Sequence, residues 1–227
     1  MRLAVLFSGG KDSTYALYKA MEDKENEVVC LISMISDNKH SYMFHTPNIS
    51  LVDLQAEALG LPLIKKQTAG IKEKELEDLK VAMYEADQKY DIDGVISGAF
   101  ASKYQKERIE MICKDLGLQC INPLWGKDPE KLIREMLDNG FEFILSSIAA
   151  EGLDETWLGR VLTYEDIDKL VELNKKVGIH IAFEGGEAES LVINGPVFKS
   201  KLLIIESEII MEKEHTGMFK IKKAELR

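Results

Sequence analysis

Leu3-Ala4-Val5-Leu6-Phe7-Ser8-Gly9-Gly10-Lys11-Asp12-Ser13 is an apolar run that breaks, over two adjacent glycines, into a polar stretch. The run reads as a buried strand. The residues after the glycines read as the start of a helix, continued by Ala16, Leu17, Ala20 and Met21 as a single apolar stripe. Helix starts of this kind hold phosphates: the first N–H groups have no partner within the helix, and the macrodipole adds about half a positive charge. The glycines let the backbone bend tightly and approach a ligand, Lys11 adds a full charge, and Ser8 and Ser13 add hydroxyl donors. A bare Gly-Gly would be an ordinary turn. The whole hexapeptide between strand and helix points to a polyphosphate.

The spacing is neither that of the G-x-x-x-x-G-K-[ST] loop nor that of the G-x-G-x-x-G dinucleotide turn. Ser8–Ser13 instead resembles the pyrophosphate loop of the PP-loop ATPases, which split ATP between its α and β phosphates to adenylate a substrate. The resemblance implies an adenine nucleotide alpha hydrolase-like α/β fold, a parallel sheet flanked by helices. It also implies ATP as the ligand of Ser8, Gly9, Gly10, Lys11, Asp12 and Ser13, with the loop gripping the leaving pyrophosphate.

The chain has 227 residues, 45% of them hydrophobic and 30% charged, enough for one large or two small globular units. The apolar run ahead of the loop is too short for a signal peptide or a membrane span, so a cytoplasmic protein with no membrane partner is expected. Cys30, Cys113 and Cys120 form no C-x-x-C pair, and His40, His45, His180 and His215 lack metal-ligand spacing. A net charge of −10 argues against extended nucleic-acid contact, and the pairs Lys65-Lys66 and Lys222-Lys223 read as solvated surface. Homo-oligomerisation stays open.

Strand and helix patterns alternate from the loop to about residue 124, which implies parallel strands joined by crossovers. Strands are expected at 27–35, 62–67, 93–98 and 120–124. A helix capped by Ser50 and closed by Gly60, a long helix through Leu76, Leu79, Met83 and Tyr90, and a third through Ile109 and Ile112 lie between them. Asn122-Pro123-Leu124-Trp125-Gly126 breaks the pattern, giving an ATP-binding domain over 1–126 and a smaller C-terminal α+β subdomain over 127–227. Within the latter, a helix over 130–139, a strand over 141–149 and a helix starting at Thr163 precede two strand-like stretches, 202–212 and 218–226. Their polar connection predicts a terminal β-hairpin.

Ligands in such sheets bind beyond the carboxyl ends of the strands. That draws in Ser33 and Met34 as neighbours of an adenine, with Phe44 or His45 for stacking, and Gly98 after the fourth strand. Tyr104 and Arg108 are four apart near a helix start and project together, and Arg108 beside Ile109 and Ile112 calls for a phosphate or carboxylate partner. A second cluster, Glu184-Gly185-Gly186-Glu187-Ala188-Glu189-Ser190, lies between the apolar triplets 181–183 and 191–193. It is either a polar turn between strands or a site whose acids hold magnesium, hold a cationic substrate, or raise one another's pKa for proton transfer. Magnesium needs no dedicated cage: Asp12 together with ATP phosphate oxygens is sufficient.

Ser8–Ser13, the stretch 98–110 (GAFASKYQKERIE) and the stretch 184–198 (EGGEAESLVINGPVF) together resemble one PP-loop family, the diphthine–ammonia ligases, over nearly the whole chain. The resemblance implies ATP-dependent amidation of diphthine, a modified histidine on translation elongation factor two, with release of AMP and pyrophosphate. In that setting Lys11, Asp12, Glu184 and Glu187 are the catalytic candidates, Glu187 or Glu184 being the base that deprotonates ammonium. Tyr104, Arg108, Gly185, Gly186 and Glu189 are the substrate-binding candidates, and Tyr104, Trp157 or the glutamates would meet the trimethylammonium group. No cysteine is poised with a histidine for glutamine hydrolysis, so free ammonium is the expected nitrogen source. Two other readings compete: a PP-loop ATPase that adenylates a transfer-RNA base, and an ATP-binding sensor without turnover. AMP and pyrophosphate release, with and without the modified factor, separates them.

Overall fold

The computed structural model describes residues 1–38 and 48–227. Five strands, β1 (Arg2–Leu6), β2 (Glu27–Ser36), β3 (Leu63–Thr68), β4 (Gly94–Ile96) and β5 (Gln119–Ile121), form a parallel sheet in the order β3-β2-β1-β4-β5. The order reverses at β1, which pairs with β2 on one side and β4 on the other, so the crevice beyond its carboxyl end is the expected ligand position.

Alternation along β1 divides the core. Leu3 and Val5 join a cluster with α1 (Lys11–Glu22) and α2 (Val52–Leu59), whereas Ala4 packs on the opposite face with α3 (Lys74–Tyr90) and α4 (Lys103–Leu116). The first cluster does not end with the parallel sheet. It continues through Leu132 and Ile133 of α5 (Pro129–Asp138) and Ile167 and Leu170 of α6 (Tyr164–Val177). It then reaches Phe143 and Leu145 of β6 (Glu142–Ala149) and Leu191 and Ile193 of β7 (Ala188–Asn194). With β8 (Leu202–Lys213) and β9 (Thr216–Leu226), these strands make an antiparallel sheet in the order β7-β6-β9-β8. The hairpin is present as β8–β9, closed by Glu214-His215. No helix among the described residues is long and apolar enough to cross a membrane.

Two local expectations are corrected, and one of the two readings of the acidic cluster, a turn between strands, is not met. Ser50 does not cap a helix: it lies in a 3-10 turn, Ile49–Leu51, and α2 begins at Val52 without a side-chain cap. The expected strand at 93–98 is a strand only over Gly94–Ile96; the Ser97 N–H still donates to the Ile121 carbonyl, and Gly98 then packs on the first turn of α1. The apolar triplet Ile181-Ala182-Phe183 is buried but is no strand, since Phe183 takes a positive φ of 63° and bends the chain. Two expected helix ends are present, Gly60 closing α2 at φ 67° and Thr163 opening α6 in a capping box with Asp166, and the structure adds Ser102 as the cap of α4.

Candidate active site

A cleft of about 720 Å³ opens where β1 and β4 end. Ser8, Lys11, Asp12 and Ser13 form one wall, and Glu184, Gly185, Gly186, Glu189 and Ser190 form the facing one. Its floor is apolar, with Ile32, Met34, Leu79 and Ile109.

The loop is shaped by its own polar atoms. Gly9 has φ 77°, a region costly for residues with a Cβ. Ser13 Oγ accepts from the Ser8 N–H at 3.2 Å and lies 3.1 Å from Ser8 Oγ, while Thr14 Oγ1 donates to the Gly10 carbonyl at 2.8 Å. Gly98 allows β4 to press against the helix start: a Cβ there would lie 2.8 Å from Ser13 N and 2.9 Å from Asp12 C.

The acidic segment is tied directly to this loop. Gly10, the residue ahead of α1, has no side chain to cap the helix; Ser190 Oγ takes that place and accepts the Lys11 N–H at 3.1 Å. Two residues along β7, the Val192 N–H donates to the Gly9 carbonyl at 3.0 Å. Gln55 of α2, fully buried, completes the junction: its Nε2 donates to the Gly9 carbonyl at 2.9 Å and to the Val192 carbonyl at 2.8 Å.

Lys11 is 3% exposed, with Nζ 2.8 Å from Asp12 Oδ2 and 5.7 Å from the centre of the Phe183 ring. Asp12 Oδ1 is buried without a hydrogen-bond partner. Burial and the Asp12 charge push the Glu184 carboxyl up to about 7, against the pull of Lys11. Burial also raises Glu189 to about 7, with Lys11 opposing and Asp12 adding. The site therefore holds two carboxyl groups poised to exchange protons near neutral pH. Glu187 is used differently: its Oε1 accepts the His180 N–H and its Oε2 the Gly185 N–H, both at 2.8 Å, so it holds the loop that presents Glu184. Burial lowers the His180 pKa.

Residues 1–120 match the diphthamide synthase N-terminal domain and residues 128–226 the diphthamide synthase C-terminal domain. The chain belongs to the diphthamide synthase family. The diphthine–ammonia ligase of Mus musculus is 36% identical over 93% of this chain and 85% of its own length. That of Homo sapiens is 34% identical over the same shares, and that of Schizosaccharomyces pombe is 35% identical over 96% of this chain and 38% of its own length. Among solved structures, that of a predicted subunit of tRNA methyltransferase from Methanocaldococcus jannaschii covers 86% of this chain and 98% of its own, at 18% identity and a TM-score of 0.40. So weak a likeness carries no argument.

In this diphthamide synthase family member the remaining candidates fall into distinct places. Met34 and Gly98 line the cleft, but Ser33 lies beneath it, its Oγ donating to the Phe7 carbonyl at 2.6 Å. Gly9 and Gly10 sit behind the wall, against Gln55 and Ser190. Tyr104 and Arg108 do project together. The carboxylate that meets Arg108 is the chain's own Glu73, at 2.8 Å, and Tyr104 OH donates to the same Glu73 oxygen at 2.9 Å. Neither of these two residues lines the cleft. The Tyr104 ring carries the Arg108 guanidinium 3.5 Å from its centre, and the buried Trp157 ring carries Arg160 at 5.2 Å. Phe44 and His45 lie outside the described residues. Gln55 went unnoticed in sequence; its one signal was a polar side chain on the face of a helix that otherwise buries Val52, Ala56 and Leu59.

Proposed function

We propose that this cleft performs the ATP-dependent amidation step of diphthamide biosynthesis, with residues 1–126 holding ATP and 127–227 supplying the acceptor side. Membership of the diphthamide synthase family and relatives named diphthine–ammonia ligases make the chain an ATP-dependent ligase. The observation that carries the reading is the Ser190–Lys11 hydrogen bond, because it brings the phosphate loop and the acidic segment to one cleft.

A carboxylate does not react with ammonia at neutral pH, so it must first gain a leaving group. The diphthine carboxylate, on translation elongation factor two, attacks the α-phosphorus of ATP; Lys11 and the free N–H groups of the first turn of α1 stabilise the charge that develops on pyrophosphate. The apolar floor at Met34 and Leu79 suits the adenine. Asp12 Oδ1, a buried carboxylate oxygen with no partner, fits magnesium held jointly with phosphate oxygens, and the ion would neutralise triphosphate charge. Among the described residues no group of three His, Cys, Asp or Glu side chains is arranged to hold a metal, so phosphate oxygens and water would supply most of its ligands.

Free ammonium is the nitrogen source. Glu184, on the cleft wall with its pKa near 7, takes one proton from ammonium; ammonia attacks the acyl carbon, the bond to the AMP oxygen breaks, and the extra nitrogen proton leaves with the AMP phosphate or to solvent. Glu189, Gly185 and Gly186 face the acceptor, Glu189 offering negative charge to the trimethylammonium group. Glu187 acts as a positioning residue. A substrate that works in translation suits a cytoplasmic enzyme.

The test is the purified chain with ATP, ammonium and diphthine-bearing elongation factor two, following AMP, pyrophosphate and amide together. Lys11→Ala should lose pyrophosphate release by about 10²–10³-fold. Glu184→Gln should slow amide formation more than adenylation. Full amidation by Glu184→Gln would exclude it as the base, and ATP turnover that ignores the modified factor would exclude the reading.

A further inference from the structure

We infer that Gln55 and Ser190 are positioning residues that hold the phosphate loop and the acidic strand at one fixed separation, so that carboxylate activation and ammonia attack stay coupled. The inference rests on the amidation reading and adds to it a device outside the reacting groups. Two elements far apart in sequence must meet within a few ångströms for the two half-reactions to share one acyl carbon. The loop belongs to the parallel sheet and Glu189 to the antiparallel one, so nothing in either sheet alone sets their distance.

The junction consists of four hydrogen bonds. Ser190 Oγ accepts the Lys11 N–H, and the Val192 N–H donates to the Gly9 carbonyl. Gln55 Nε2 spans the Gly9 and Val192 carbonyls with its two protons, at 2.9 and 2.8 Å. Gln55 therefore touches both halves at once from a third element, and it is fully buried. Its packing is also close: a Cβ on Gly9 would lie 2.0 Å from Gln55 Oε1. Its Nε2 is matched by one carbonyl from each side, whereas its Oε1 is buried without a hydrogen-bond partner, so the amide is held at the junction by its two donor contacts. Ser190 and Val192 lie two apart on the edge strand β7: the Ser190 side chain accepts the Lys11 N–H and the Val192 backbone N–H donates to the Gly9 carbonyl, so a side chain and the strand edge both hold the loop. Glu189 is held between Ala188 and Ser190 on that strand.

If the separation slackens, the acyl adenylate still forms at the loop but waits for ammonia in a wetter, misplaced site. Water then attacks the acyl carbon, the bond to the AMP oxygen breaks, the two protons of the water leave to solvent and to the AMP phosphate, and the original carboxylate is restored. ATP is consumed to AMP and pyrophosphate with no amide made. A displacement of about 1 Å is enough to cost about 10²-fold in a positioned step.

The experiment measures pyrophosphate and amide in the same reactions, for the wild-type chain, Gln55→Leu and Ser190→Ala, with diphthine-bearing elongation factor two, ATP and ammonium. The wild type should give one pyrophosphate per amide. Each variant should give about three or more, with amide formation reduced about tenfold, and Ser190→Thr should return the ratio to one. Loss of folded enzyme alone lowers both products equally and leaves the ratio unchanged. Ser190→Ala removes only one oxygen, and so keeps the test open if Gln55→Leu does not fold. A ratio of one in a folded variant would overturn the coupling role. Absence of both products in the wild type would instead overturn the amidation reading.

Discussion

Glu189 shows what a side chain in this cleft is asked to tolerate. Its carboxyl is raised from 4.5 to about 7, first by burial. A raised carboxyl binds its proton more tightly in the folded state, so its contribution to stability is present below pH 4.5 and is lost as pH rises through 7. At about 1.36 kcal/mol per unit, the shift corresponds to a loss on the order of 3 kcal/mol by about pH 8. Glu189→Gln should therefore raise the unfolding midpoint at about pH 8, leave it nearly unchanged at about pH 4, and impair amidation; thermal melts at the two pH values check this. With Glu184 as the proposed base, activity carries the opposite sign: amide formation should rise as pH increases through about 7, where the Glu184 carboxyl ionises. In sequence the acids were visible as a cluster. Which of them face the cleft was not, because the bend at Phe183 aims Glu184 into it while two backbone hydrogen bonds hold Glu187 to the loop.

The elements meet closely at Gly98. The end of β4 packs on the first turn of α1 so tightly that any Cβ would collide with backbone rather than with a flexible side chain. Gly98→Ala should push the phosphate loop away from β4, costing about 1–3 kcal/mol of stability and raising KM for ATP more than it lowers kcat. Denaturant titration and ATP-dependence of pyrophosphate release measure the two effects. Element identities were largely legible beforehand, since apolar periodicity and glycine stops are local signals. The start of α2 was not. Ser50 has the right chemistry for a cap, but the chain there makes a 3-10 turn that buries Leu51.

At the scale of the molecule, one apolar cluster runs from Leu3 and Val5 through Tyr15 and Leu132 to Phe143 and Leu191, so the parallel and antiparallel sheets share a core. Tyr15 packs edge-on against Phe141, with ring centres 5.3 Å apart, and its hydroxyl accepts from Asn139 at 3.1 Å. A chain cut to residues 1–126 should expose this face and lose cooperative thermal unfolding, whereas the whole chain should melt in one transition by circular dichroism and tryptophan fluorescence. The sequence by itself determined the Ser8–Ser13 strand-to-helix loop, the alternation that makes a parallel sheet, the terminal hairpin and the acidic segment, because each is written in the identity and spacing of neighbouring residues. Only the tertiary structure decided that Ser190 caps the helix of Lys11, that Gln55 joins loop to strand, and that Arg108 meets Glu73 outside the cleft. These are contacts between residues 35 to 179 positions apart, set by how two sheets bury a common apolar face, and no local pattern records that.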